Sequence, residues 1–167
     1  TQGRHRYYSF ARNEVAYAVE ALAGLAGPAE KTAASKDIKG IKYCRTCYDH
    51  LAGFVAVRIT DCLVERLFLT KTDGAFDVTE NGWKFFSGLH IRKEDFGAGR
   101  RPLTRQCLDW SERRPHLAGA LGAAFLDKTI QKDWFRKVRF SRELEVTVHG
   151  HREILKMLNV DLRGING

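Results

Sequence analysis

The sequence predicts an α+β protein made of two helix–hairpin–helix repeats packed on one another, preceded by a strand and a helix. Three observations predict it. His50-Leu51-Ala52-Gly53 recurs as His116-Leu117-Ala118-Gly119, 66 residues later. Val78-Thr79-x-x-Gly82 recurs as Val146-Thr147-x-x-Gly150, 68 residues later. Between these anchors each copy reads as a helix, a two-stranded hairpin and a second helix. A lone hairpin is marginal in water, so helices must cover it. The two copies are therefore expected to pack about a pseudo-two-fold axis.

The elements follow in order. Residues 4–10 alternate basic or polar residues with aromatic ones, as a strand does. Asn13 suits the N-cap of a helix in which Val15, Val19, Leu22 and Leu25 recur at helical spacing. Gly27-Pro28 ends it near Ala26. Residues 28–43 read as a linker. A long helix is expected from about Cys47 to Leu67, then a hairpin from Leu67-Phe68-Leu69-Thr70 across Thr72-Asp73-Gly74 to Phe76-Asp77-Val78. Thr79 caps a short helix through Leu89, with Trp83 and Phe86 facing inward. Residues 92–105 are rich in Gly and Arg and make a loop. Pro115 suits the first turn of a helix running to about Gln131. Trp134–Val138 and Glu143–Val148 form a second hairpin, and a last helix spans about His151 to Leu158. The expected boundaries are residues 1–27, a linker over 28–43, a first repeat over 44–100 and a second over 101–167.

Composition narrows the function. With 167 residues, 44% hydrophobic and 29% charged, the chain can bury a real core. Only 3 Pro and no low-complexity run argue against global disorder. A net charge of +8 favours polyanionic partners, although a solvated basic surface explains it as well. No run of about 18 apolar residues exists, and the start lacks the apolar stretch of an export signal. A cytoplasmic location is expected, with Cys44, Cys47, Cys62 and Cys107 reduced. The chain begins at Thr1 rather than Met and reads as a fragment.

The opening Gly3-Arg4-His5-Arg6-Tyr7-Tyr8-Ser9-Phe10 resembles the returning wing strand of arsenic-repressor (ArsR/SmtB) winged-helix regulators. Residues Asn13 to Ala26 resemble their dimerisation helix. The rest is similar to an extension carried by a subgroup of that family. Its marks are Cys44-Arg45-Thr46-Cys47-Tyr48-Asp49-His50-Leu51-Ala52-Gly53 and Cys107-Leu108-Asp109-Trp110-Ser111-Glu112-Arg113-Arg114-Pro115-His116-Leu117-Ala118-Gly119. The resemblance implies that both repeats are winged-helix-like. It also implies a homodimeric transcription regulator that reaches operator DNA through an N-terminal winged helix in the full-length protein. The family's metal site on the dimerisation helix needs His, and Asn13 to Ala26 contains none.

The candidate metal ligands are Cys44, Cys47, His50, Cys107 and His116. Cys44, Cys47 and His50 are spaced three apart, which on a helix puts them on roughly one face. Thiolates and imidazole suit zinc or another soft metal ion, with Cys107, His116 or Asp49 as a fourth ligand. The competing reading packs the cysteines as small apolar groups. Tyr48, Asp109, Trp110, Glu112 and Arg113 are candidate effector-pocket residues, where stacking and charge would hold an anionic or aromatic molecule. A buried turn tied by an Arg–carboxylate pair is the reading the Asp109 segment favours over such a pocket. If the repeats face one another, Tyr48 and His50 converge with Trp110 and His116. Arg4, Arg6 and Tyr7 are candidate contacts to DNA phosphate, against a solvated strand edge.

These observations favour the effector-sensing and dimerisation region of a DNA-binding transcription regulator, responding to a metal or small-molecule effector. Two other classes stay open on sequence alone. One is a metal- or thiol-dependent enzyme centred on the same Cys and His residues, and the other is a dimerisation module without a ligand. The sequence has no G-x-S-x-G, no H-E-x-x-H and no phosphate loop.

Overall fold

The computed structural model describes residues 38–97 and 101–162, together with Val15, Ala18, Val19 and Leu22, which are helical. The expected wing strand, the remainder of the helix after it and most of the linker lie outside the described residues. Within them the chain is mixed α and β. It runs β1 (Arg45–Cys47), β2 (His50–Ala52), α1 (Phe54–Glu65), β3 (Leu69–Lys71), β4 (Phe76–Val78) and α2 (Glu80–Gly88). The same order returns as β5 (Arg105–Leu108), β6 (Pro115–Ala118), α3 (Gly119–Gln131), β7 (Phe135–Lys137), β8 (Leu144–Val146) and α4 (Val148–Leu158).

Each half thus opens with a hairpin that the helical spacing had hidden. Residues expected to begin a helix at Cys47 form β1 and β2, and those expected to begin one at Pro115 form β6. The cause is backbone geometry. Tyr48 takes a left-handed φ of 56° and turns the chain after Cys47, so that Cys47 pairs with His50. Gly53 and Gly119, at φ 87° and 88°, then redirect the chain into α1 and α3. Positive φ costs an L side chain, so glycine ends both copies of the His-Leu-Ala-Gly anchor.

The second anchor has its own reason. Thr79 and Thr147 cap α2 and α4, accepting from the backbone N–H of Gly82 and Gly150 at 3.0 and 2.8 Å. Their hydroxyls donate to the carbonyls of Leu67 and Asp133. Each helix is thereby drawn against the preceding loop. A Cβ at Gly82 would meet the Phe68 carbonyl, and one at Gly150 the Trp134 carbonyl.

The halves interlock. Helix α1 packs on β6, and α3 packs on β2. Thr46 donates its backbone N–H to Arg142 at 2.8 Å, and Leu144 donates to Cys44 at 3.0 Å. These bonds lay β1 beside β8. Reciprocally, Gln106 donates to the Gly74 carbonyl at 2.8 Å, and Thr104 bonds both backbone groups of Phe76. The opening hairpin of each half therefore seals an edge of the other half's second hairpin, which protects both edges from foreign strands. One core spans the halves, with Val55, Ile59 and Leu63 of α1, Leu121 and Phe125 of α3, and Phe86 of α2. Each such side chain contributes about 1.5–3 kcal/mol by leaving water.

Candidate metal centre

In an antiparallel pair, residues opposite each other project to one face of the hairpin. Cys47 lies opposite His50 in β1–β2, and Cys107 lies opposite His116 in β5–β6. Strands β2 and β6 meet where the halves interlock. The two Cys/His pairs therefore face each other. One donor atom from each of Cys47, His50, Cys107 and His116 lies within 4.8 Å of the other three. The two Nε2 atoms are 3.1 Å apart and the two Sγ atoms 3.8 Å apart. Cys47, His50 and His116 are buried, and Cys107 is half-buried.

A carboxylate stands behind each imidazole. Nδ1 of His50 is 3.4 Å from Asp49, and Nδ1 of His116 is 3.3 Å from Asp109. Asp109 is fully buried. One of its oxygens accepts from the Gly53 backbone N–H at 2.7 Å and from Arg45 at 2.9 Å. The other accepts from the backbone of Ser111 and Glu112 and from the Ser111 hydroxyl. Arg45, also fully buried, donates to the Ile41 carbonyl and the Ser111 hydroxyl, and its guanidinium lies 4.5 Å from the Trp110 ring centroid. Asp49 is held by Arg101, which donates to both of its oxygens at 2.6 and 3.0 Å and to the Gly119 carbonyl at 2.8 Å.

These contacts set the charge states. Burial alone would push the Asp109 carboxyl up, but bonding to His116, the Arg45 charge, Ser111 and the Gly53 N–H hold it far below the usual range. Burial also opposes ionisation of Asp49, yet its bonds to His50 and Arg101 bring it down to about 2. The Cys107 thiol is pulled down chiefly by its hydrogen bond with Cys47, against burial and with help from both histidines. Burial disfavours the charged form of His116, but Asp109 and Cys107 more than offset it and raise its pKa. Ready deprotonation of the thiol suits a metal ligand.

The structure brings together four of the five candidate ligands and leaves out Cys44. Its thiol is fully buried in the hydrophobic core, and burial pushes its pKa up. The expected common face was a helical one, and in extended chain residues three apart point to opposite sides. The candidate pocket residues do not converge on one cavity. Asp109 and Trp110 contact Arg45, while Glu112 donates its backbone N–H to Asp109. Arg113 is exposed at a left-handed φ of 57°, and Tyr48 is exposed at the first hairpin's turn. An apolar cavity between the halves is lined by Leu51, Ile59, Leu63, Leu117 and Phe125 among others, and by none of the pocket candidates. Arg4, Arg6 and Tyr7 lie outside the described residues. Arg45 and Arg101 were missed by sequence reasoning. For Arg45 the available signal was its place inside the repeated motif, two residues before Cys47.

The donor set fits a thiophilic divalent ion. A tetrahedral zinc with bonds of about 2.3 Å to sulfur and 2.0–2.1 Å to nitrogen has edges of about 3.8 Å between sulfurs and 3.3 Å between nitrogens. The observed 3.8 and 3.1 Å lie close to both.

No family model matches the chain, and no solved structure matches it. A curated protein does. The uncharacterized HTH-type transcriptional regulator YdfF of Bacillus subtilis (strain 168) is 42% identical over 162 residues, which are 96% of this chain and 72% of that protein.

Proposed function

We propose, from the premise that the chain belongs to the family of HTH-type transcriptional regulators that includes YdfF, that it is the effector-sensing and dimerisation region of a DNA-binding regulator. Its family makes it a transcriptional regulator and not an enzyme. The observation that carries the sensing part is the donation of two metal-binding groups by each half to one buried cluster. An ion held there engages both halves at once. It can therefore bias how they sit relative to one another, which is what an effector must do to shift a two-state equilibrium.

The finer reading is an ArsR-type regulator with winged-helix-like repeats over residues 44–100 and 101–167. It acts in the cytoplasm as a homodimer on operator DNA, with Arg4, Arg6 and Tyr7 touching phosphate. Exposed apolar Val15, Val19 and Leu22 support the dimer, since their spacing puts them on one stripe of a helix. No helix among the described residues is long and apolar enough to cross a membrane.

The test is operator affinity of the full-length regulator, zinc-loaded against metal-stripped. A coupling of 5- to 150-fold is expected. Equal affinity in the two forms would sink the reading of the ion as effector.

A further inference from the structure

We infer that Cys47, His50, Cys107 and His116 form a closed tetrahedral Cys2His2 zinc site that clasps the two halves, with Asp49 and Asp109 as its supporting carboxylates. This rests on the metal part of the reading above and deepens it. The site takes all four ligands from the protein and leaves no position for water or substrate. Such closed sites are structural, whereas catalytic zinc keeps an open position.

Three features point the same way. The separations between like donors lie close to the edges of a zinc tetrahedron. The mixed thiolate and imidazole donors select zinc over calcium or magnesium, which take oxygen. Each imidazole turns Nε2 toward the centre and Nδ1 to within 3.4 Å of a carboxylate, the placement of a supporting carboxylate behind a ligating histidine.

The clasp also reaches beyond its ligands. Asp109, behind His116 of the second half, accepts the Gly53 N–H at the start of α1 in the first half. Arg101, gripping Asp49 behind His50 of the first half, holds the Gly119 carbonyl at the start of α3 in the second half. Occupancy of the site is thereby tied to where both central helices begin.

The experiment uses the full 167-residue chain. Zinc content is measured by mass spectrometry, the metal is removed, and cobalt(II) and then zinc are titrated back against a chromophoric chelator. One zinc per chain and the intense visible bands of tetrahedral, thiolate-bound cobalt are expected. Asp49→Asn should weaken zinc 10- to 100-fold while leaving the far-ultraviolet spectrum unchanged. Cys47→Ser should abolish stoichiometric binding, and the Asn variant keeps the inference testable if the Ser variant fails to fold. Absence of stoichiometric zinc, a weak six-coordinate cobalt spectrum, or unaltered affinity in Asp49→Asn would each overturn the clasp. Unchanged operator affinity with tight zinc binding would remove the effector reading and leave the clasp standing.

Discussion

The two opening hairpins do one job with different means. In the first, a two-residue turn carries Asp49 beside His50, and its carboxylate remains 30% exposed against Arg101. In the second, the longer connection Asp109–Arg114 folds back and buries Asp109 completely against Arg45. Both carboxylates stand behind a histidine of the same cluster. The difference teaches that equivalent contacts carry unequal energies. A screened pair contributes little, while a buried one is costly to break.

The largest effect should therefore come from Asp109→Ala. It leaves the Arg45 guanidinium buried without its carboxylate, and removing one partner of a buried pair costs about 3–5 kcal/mol. Urea unfolding should show that loss, and a change below about 1 kcal/mol would mean that Arg45 escapes to water. Asp109→Asn keeps one oxygen acceptor, enough for the Gly53 side or the Ser111 side but not both, so it should fall between Ala and the parent.

Where the halves are alike, substitutions should act alike. Gly82→Ala and Gly150→Ala each drive a methyl into a backbone carbonyl, of Phe68 and Trp134 respectively. Overpacking against backbone costs about 1–3 kcal/mol, and both variants should lose comparable stability in thermal or urea melts. A large cost in one half and none in the other would show that the second hairpins are not equivalent in the folded chain.

Much of this was legible in the residues, and the boundary is physical. The first Thr-x-x-Gly anchor announced its cap, Thr79, because a hydroxyl three residues before a helical glycine has a local purpose. Thr147 caps its helix in the same way, although the sequence pattern places the start of that helix at about His151. The second hairpins were legible from alternation and turn residues. The opening hairpins were not, because their strands are only three or four residues long and lack a clear alternation of apolar and polar residues, as in the fully buried β2. That error moved Cys44 into the metal set, since a helical period groups residues that an extended chain separates. The pairing of Cys107 with Cys47, and of Asp109 with Arg45, depends on how the halves interlock, which no local pattern encodes.

Cys44 sharpens the comparison in another way. Its repeat counterpart before β5 is Thr104, buried like it but hydrogen-bonded to Phe76. Burial raises the Cys44 pKa, so the folded state keeps the proton that an unfolded thiol loses above about pH 8.5. The folded chain then binds more protons than the unfolded one, and stability falls as pH rises, by up to about 1.4 kcal/mol per pH unit for this group. Burial raises Cys62 as well and adds to the slope. Cys44→Ala should flatten part of the decline between about pH 8.5 and 10, in urea melts of the metal-free protein. An unaltered slope would place the titration elsewhere.

The smallest expected effect is Asp49→Ala in the metal-free protein. Asp49 and Arg101 form a partly exposed pair, whose contribution to stability is about 0–1 kcal/mol. The sign of its pH dependence is set by its depressed pKa of about 2. Its stabilisation is fully present above about pH 4, where an unfolded carboxyl is also ionised, and is lost as pH falls toward 2. The variant should therefore fall short of the parent by a constant amount above about pH 4, and the two should converge as pH falls toward 2. The buried Asp109, held lower still, should keep its contribution further into acid. If Asp49→Ala instead costs as much as Asp109→Ala, the exposed carboxylate is not screened, and both halves hold their histidines with equal force.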